Sequence, residues 1–162
     1  MRIATKKDLS DIVAIYNSTI PTRQSTADTE EVTVESKLEW FRRHSPDKRP
    51  LWVREENGKV VAWVSFQSFY GRPAYEQTVE ISIYISPEHR GKGLGRTLLE
   101  ESLESAKQFD IKTIVGFIFS HNIPSINLFK SFGFEEWGAL PNVARMDGKE
   151  YSLSIMGKRI KE

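Results

Sequence analysis

Leu9, Ile12, Val13 and Tyr16 recur at i, i+3, i+4 and i+7, which is one face of a helix, and Asp8 stands where an N-cap would. A short possible strand, "RIA", precedes it. The polar stretch "STADTEEVT" breaks the pattern. Thr33 then caps a second predicted helix, "VESKLEWFRRH", with Val34, Leu38 and Phe41 inward and Pro46 and Pro50 past its end. From residue 51 the period changes from helical to alternating. "LWVREENGKVVAWVSFQSFY" reads as two strands around Asn57-Gly58, a strong hairpin signal. A loop over 70–77, "YGRPAYEQ", leads into "TVEISIYIS" (78–86), an alternating strand stopped by Pro87. Leu94, Leu98, Leu99 and Ala106 predict a helix over 94–109. The continuous apolar run "KTIVGFIF" (112–119) suits a strand buried on both faces. "NIPSINLFKSFGF" opens on a capping Asn122, carries Pro124 in its first turn and stops on Gly133. "FEEWGAL" and "KEYSLSIMGKRI" are two further strands. The order β-α-α-β-β-β-α-β-α-β-β predicts an α/β fold with a mixed sheet, in a single domain over 1–162, since no repeat or linker divides the chain.

The pattern leaves one junction unexplained. Strand 78–86 reaches the helix at 94 through Gly91, Gly93 and Gly95, interleaved with Arg90, Lys92 and Arg96. A helix N-terminus presents unpaired N–H groups and a positive dipole end, and glycines let backbone approach a ligand, so this is a recipe for holding an anion. A Walker A loop would need Ser or Thr after Gly91-Lys92 and Gly at 86, where Gly93 and Ser86 stand. A dinucleotide fingerprint from Gly91 would need a small residue at 96, where Arg96 stands. A Gly-x-Gly-x-Gly turn also suits a loop that binds nothing.

Glu80 is the second anomaly. Alternation puts Glu80, Ser82 and Tyr84 on one face of their strand and Ile81, Ile83 and Ile85 on the other. A carboxylate within an apolar run is costly unless it faces a cleft, a partner or solvent. An exposed sheet face, a structural ion pair and a catalytic base are all open readings.

Composition narrows the partners. The 23 basic and 22 acidic residues leave a net charge of +1, so no global field favours nucleic acid or an anionic membrane, and any anion site must be local. The absence of cysteine excludes disulfides, thiolate metal sites and a cysteine nucleophile, and is compatible with a reducing, cytoplasmic location. His44, His89 and His121 lie far apart, so no metal is expected. The N-terminus lacks the apolar core of a signal peptide, and no run approaches the length of a membrane span.

The turn Arg90-Gly91-Lys92-Gly93-Leu94-Gly95 matches Arg-x-x-Gly-x-Gly and, in this strand–turn–helix context, resembles the acetyl-CoA pyrophosphate loop of the GNAT superfamily of N-acetyltransferases. "NIPSINLFKSFGF" is similar to that superfamily's second signature. "AIYNSTI", "TVEISIYI" and Asn122-x-Pro124-Ser125 resemble its phosphinothricin and methionine sulfoximine acetyltransferase group. The resemblance covers nearly the whole chain. It implies the GNAT fold, a mixed, mostly antiparallel twisted sheet flanked by helices with splayed central strands.

It also implies acetyl-CoA as cosubstrate. Gly91, Lys92, Gly93, Leu94, Gly95 and Arg96, with Arg90 at the flank, would hold the pyrophosphate. Ile83, Tyr84 and Ile85 would lie along the pantetheine arm. Asn122 and Ser125 would reach the arm from the second helix, and Ser131 would reach the cofactor's outer end. It gives Glu80 the role of general base toward the α-amine of a small amino acid-like acceptor, attacked on directly in a ternary complex, and places Tyr70, Gly71 and Arg72 beside that acceptor. It implies a homodimer. Two positions depart from the pattern. Phe129 replaces the Tyr that protonates the departing thiolate in many relatives, and Glu150-Tyr151-Ser152 replaces a common Trp-x-Asp. Acetylation of a peptide N-terminus, and a CoA-binding module with little chemistry, are the alternative readings.

Overall fold

In a computed structural model describing all 162 residues, one seven-stranded sheet organises the chain in the order β1-β2-β3-β4-β5-β7-β6. The strands are β1 (Arg2–Ile3), β2 (Leu51–Glu56), β3 (Lys59–Ser68), β4 (Thr78–Ile85), β5 (Thr113–Phe119), β6 (Glu135–Met146) and β7 (Lys149–Arg159). The helices are α1 (Leu9–Thr19), α2 (Leu38–Arg42), α3 (Leu94–Ala106) and α4 (Ile123–Ser131). All neighbouring strands run antiparallel except β4 and β5, which are parallel. The element order is the one the sequence predicts.

The alternation of β3 and β4 divides the core between two faces. Ala62, Val64 and Phe66 join Val79 and Ile81, Ile114 and Ile118, and Leu98, Leu99, Ile126 and Phe129 from α3 and α4. The opposite face of β2 and β3 buries Leu51, Val53 and Trp63 against Ile12 and Ile15 of α1, with Trp40 and Phe41 packed alongside. Asn57 and Gly58 both take positive φ, as a two-residue hairpin with the sheet's twist requires. Asp147 and Gly148 do the same between β6 and β7.

Four local predictions need correction. The second helix begins as a 3-10 turn over Glu35–Lys37, and only Leu38–Arg42 is α-helical, so Val34, Leu38 and Phe41 are half-buried. The third ends at Ala106 instead of residue 109. The strand expected to end at residue 140 runs on to Met146, its register slipping between Leu140 and Ala144 where Pro141 interrupts the ladder.

Asp8 does not cap α1. Its carboxylate takes the Thr5 backbone N–H at 2.7 Å and both Arg2 guanidinium nitrogens at 2.8 Å. The guanidinium, first, and the Thr5 N–H hold the Asp8 carboxyl at about 2, below the usual carboxylate range. A depressed pKa contributes stability above the unfolded-state value and loses it as pH falls through the folded one. Asp8→Ala is therefore expected to cost about 1–2 kcal/mol at pH 7, after discounting for the exposed guanidinium. The difference between the two proteins should shrink between about pH 4 and about pH 2, read from urea midpoints at constant m.

Candidate active site

β4 and β5 pair only at Thr78–Thr113, Val79–Ile114 and Glu80–Val115. Beyond Glu80 the strands part, although β4 continues to Ile85 and β5 to Phe119. The gap is a groove of about 440 Å³, walled by Ile81–Ile85, by Phe117 and Ile118, and by Asn122, Ser125, Leu128 and Phe129 of α4 and its cap. Gly116 explains how α4 comes so close, because a Cβ there would lie 3.0 Å from the Phe129 ring.

The glycine turn closes the outer end of the groove. Gly91 and Gly93 sit at φ of +70° and +82°, and open space lies where their side chains would be. α3 starts on Gly93 with no side-chain cap and no acidic residue in its first turn. Six successive backbone N–H groups, Gly91 to Arg96, have no hydrogen-bond partner within the protein. Such a cradle fits a diphosphate, whose charge and acceptor oxygens satisfy what the fold leaves unpaired.

The basic residues of the turn are committed differently. Arg90 folds inward, donating to the Ile85 carbonyl at 2.9 Å and to the Ser18 hydroxyl at 3.3 Å, and so braces the turn against β4 and α1. Arg96 lies over the Phe132 ring and donates to Ser131 at 3.3 Å, bridging α3 to α4. Lys92 is exposed. Of the residues singled out on the cofactor side, Ile83, Tyr84, Ile85, Arg90, Gly91, Gly93, Gly95, Arg96, Asn122 and Ser125 wall the groove, and Lys92, Leu94 and Ser131 do not.

Asn122 does cap α4, accepting from the Ser125 N–H at 3.4 Å. Its amide nitrogen donates to the Gln24 carbonyl at 3.2 Å. That contact belongs to a strap that no local pattern foretells. The segment after α1 crosses the groove, putting Gln24 and Ser25 in its wall beside Thr19 at the end of the helix. It is held by Tyr84 Oη donating to the Ser25 carbonyl at 3.0 Å and by the Arg23–Asp147 ion pair at 2.8 Å.

Glu80 stands at the last β4–β5 pair, where the strands part. It is half-buried and its carboxylate makes no ion pair or hydrogen bond within the protein, which removes the structural ion pair as its explanation. Burial raises its pKa above the usual carboxylate range. Its cross-strand neighbour is Gln67. Gln67 and Ser82 belong to the floor of a second cavity, of about 220 Å³, on the same face of the sheet, so Glu80 lies beside the meeting of the two spaces without walling either. Tyr70, Gly71 and Arg72 are exposed and line neither cavity. Their link to the groove runs through aromatic contacts, Tyr70 against Phe69 at 5.1 Å and Phe69 stacked on Phe117 at 6.4 Å.

Comparisons with known proteins agree with this arrangement. The model of the acetyltransferase (GNAT) family matches residues 12–134. A Bacillus subtilis protein named "Putative phosphinothricin acetyltransferase YwnH" is 53% identical over 99% of this chain and 98% of its own. An L-methionine sulfoximine/L-methionine sulfone acetyltransferase of Salmonella typhimurium is 32% identical over 100% of this chain and 95% of its own. The crystal structure of a phosphinothricin acetyltransferase from Sinorhizobium meliloti in complex with acetyl-CoA superposes with a TM-score of 0.92 at 28% identity, covering 99% of this chain and 88% of that one. With a family match across most of its length and a relative more than half identical end to end, the chain belongs to the GNAT family of acetyltransferases.

Proposed function

We propose that this protein transfers acetyl from acetyl-CoA to the α-amine of a small amino acid-like acceptor, acting as one domain. The observation that carries the reading is the row of unpaired N–H groups from Gly91 to Arg96 at the mouth of the gap that opens at Glu80. Acetyl-CoA supplies an activated thioester. The chain's residues supply the rest. The Gly91–Arg96 amides hold the diphosphate, with Arg90 and Arg96 fixing the turn. The unpaired edge of β4 along Ile83, Tyr84 and Ile85 takes the amides of the pantetheine arm as an added strand would. Ser125 faces the arm from α4, and Ser131, Lys92 and Leu94 flank its outer end.

An α-amine with a pKa of about 8 is largely protonated at neutral pH. Glu80, unpaired and with a raised pKa, accepts that proton directly or through water, and the neutral amine attacks the thioester carbonyl. The chain has no cysteine to carry the acetyl group, so transfer is direct. The N–C bond forms as the C–S bond breaks and CoA leaves as its thiolate; Phe129 is buried against Gly116 and has no proton to give, so no side chain is assigned as general acid and the thiolate takes its proton from water. Tyr70, Gly71 and Arg72 form the outer rim of the acceptor side, where the Arg72 guanidinium meets an incoming carboxylate or phosphinate. Phosphinothricin, methionine sulfoximine and methionine sulfone, the acceptors named for its relatives, are the first to test. Free CoA released over a panel of these amines at micromolar enzyme should exceed the no-acceptor rate, and no turnover with any of them would remove the substrate assignment.

The reading includes a cytoplasmic location, where acetyl-CoA is available, and a homodimer. α4 packs against one face of β5 and β7. On the other face Phe117, Trp137 and Leu140 are 37–47% exposed. A patch of this kind fits a two-fold partner. Light scattering should give twice the mass of the 18.6 kDa chain, and a monomer at micromolar concentration would exclude the dimer.

A further inference from the structure

The sheet register brings two phenyl rings to Glu80. Gln67 of β3 stands opposite Glu80, and the Phe69 N–H donates to the Thr78 carbonyl at 3.3 Å, so Phe69 shares the face of Gln67 and Glu80. Across the other edge Val115 of β5 stands opposite Glu80, and Phe117 shares the face of Val115. Phe69 and Phe117 thus flank β4 from either side, displaced from Glu80 in opposite directions along the strands. Rings so placed meet only by leaning in over the strand between them, and these two stack at 6.4 Å and 14°.

Phe69 opens the loop 69–77, and one buried side chain holds both ends of that loop. Arg49, 8% exposed, donates through Nε to the Ser68 hydroxyl at 2.9 Å and through Nη2 to the Glu76 carbonyl at 2.7 Å. Its own backbone is fixed by a pair of hydrogen bonds with Ser45, at 2.9 and 3.0 Å. A buried guanidinium is costly unless its donors are satisfied, and here the two stems of one loop satisfy them. Between the stems Tyr70 takes φ of +61°, a left-handed conformation that a bulky residue keeps only where its surroundings impose it. The Tyr70 and Tyr75 rings close on the Phe69 ring at 5.1 and 5.4 Å, so the loop packs around Phe69. A strained loop pinned at both ends beside a candidate base is a loop kept in one shape.

Resting on the acetyltransferase reading, we infer that Arg49 and Phe69 are positioning residues for Glu80: Arg49 pins both stems of loop 69–77, and the loop holds the Phe69 ring with Phe117 as a roof that keeps bulk water from the base. A desolvated carboxylate is a stronger base toward the acceptor's ammonium than a hydrated one. Burial is the cause of the raised Glu80 pKa. Its neighbours Gln67 and Ser65 of β3, and Val115 and Phe117 of β5, are uncharged, and Arg72 and Glu76 of the loop are exposed. On its own strand Tyr84 feels the Glu80 charge, and burial above all holds the Tyr84 hydroxyl neutral. Tyr16, bonded to Asp28, and Lys37 stand in the adjoining cavity.

The test follows the Glu80 carboxyl by two readouts in the wild type, Phe69→Ala, Phe69→Leu and Arg49→Met. Carboxyl carbon NMR on glutamate-labelled protein, assigned with Glu80→Gln, gives its titration without turnover. The pH dependence of kcat at saturating acetyl-CoA and amine gives its titration during catalysis. Phe69→Ala should bring both midpoints down toward the usual carboxylate range and lower kcat on the plateau by about three- to tenfold, with KM for acetyl-CoA within about twofold. Phe69→Leu keeps an apolar roof and should stay near the wild type. Arg49→Met keeps the buried chain without its donors, so both midpoints should fall although the Phe69 ring is intact. Ser68→Ala removes only the acceptor of Arg49 Nε, from an exposed residue, and should lower the midpoints by less, which keeps the pin testable where Arg49→Met does not fold. An unmoved midpoint in Phe69→Ala, an equal fall in Phe69→Leu, or unmoved midpoints in the Arg49 and Ser68 variants would each overturn the inference and leave the acetyltransferase reading intact. No turnover with any amine would overturn both.

Discussion

Glu80→Gln is expected to lower kcat for amine acetylation by about 10²–10⁴-fold and to leave acetyl-CoA affinity within about twofold. The substitution keeps the shape and the burial of the side chain and removes only its capacity to accept a proton. The Glu80 carboxylate is in no hydrogen bond or ion pair with another residue, so no ion pair or network is broken by the change. Its raised pKa has burial as its cause, which sets the sign of a second effect. An acid whose folded pKa lies above its unfolded one weakens the fold as pH rises through that interval. Removing the charge should therefore leave thermal stability at pH 7 unchanged or higher. Loss of rate without loss of stability identifies a base, whereas equal loss of both would reduce Glu80 to a packing residue. In the wild type, kcat should rise with pH across a midpoint above the usual carboxylate range, and this limb should vanish in the variant. A module that only binds CoA would show no rate to lose.

What the sequence revealed, and what it hid, divides along the range of the interactions. Asn57-Gly58, Asn122 with Pro124, and Gly133 announce their turns because each acts through its own backbone and its nearest neighbours. The glycine turn was legible for the same reason, since three glycines in five residues at a helix start have a local physical meaning. The parting of β4 from β5 was not, except through family resemblance. Strands 78–86 and 112–119 read as ordinary strands, and which residues pair is decided by packing across the sheet. Asp8 shows how a local prediction fails. The capping position was right in kind, but Arg2 and the Thr5 N–H compete for the same carboxylate and win.

The second cavity was the hardest feature to foresee. Its walls come from four separate stretches, around residues 12–16, 32–40, 63–67 and 82–84. Ile12, Val13 and Trp63 each satisfy a core periodicity, and nothing local separates a residue that fills the core from one that borders a void. The strap over the groove is similar, because Gln24 and Ser25 contribute backbone carbonyls, which any residue would supply.

Gly93→Asp tests the donor site in the same way that Glu80→Gln tests the chemistry. Gly93 sits at φ +82° with open space where a side chain would go, and Asp is among the residues that tolerate this region at a cost of about 1–2 kcal/mol. A carboxylate next to the uncapped N-terminus of α3 recovers part of that cost by interaction with the helix dipole. The fold should therefore survive. The same carboxylate occupies the cradle of free N–H groups and opposes any diphosphate brought there. Two unit charges about 4 Å apart repel by about 4 kcal/mol at the effective dielectric of a protein surface, and salt screening leaves about 3 kcal/mol. That corresponds to about a 10²-fold weaker acetyl-CoA affinity, seen as a higher KM with kcat at saturation little changed. Gly93→Asn has the same shape and backbone preference without the charge, and should lose less than about tenfold. Isothermal titration with CoA on the three proteins decides the matter. Equal weakening in Asp and Asn would trace the effect to backbone strain, and no weakening in either would move the diphosphate away from the turn. Loss confined to Asp is the signature of an anion held by the Gly91–Arg96 amides, since only there does one charge on Gly93 outweigh the arginines that flank it.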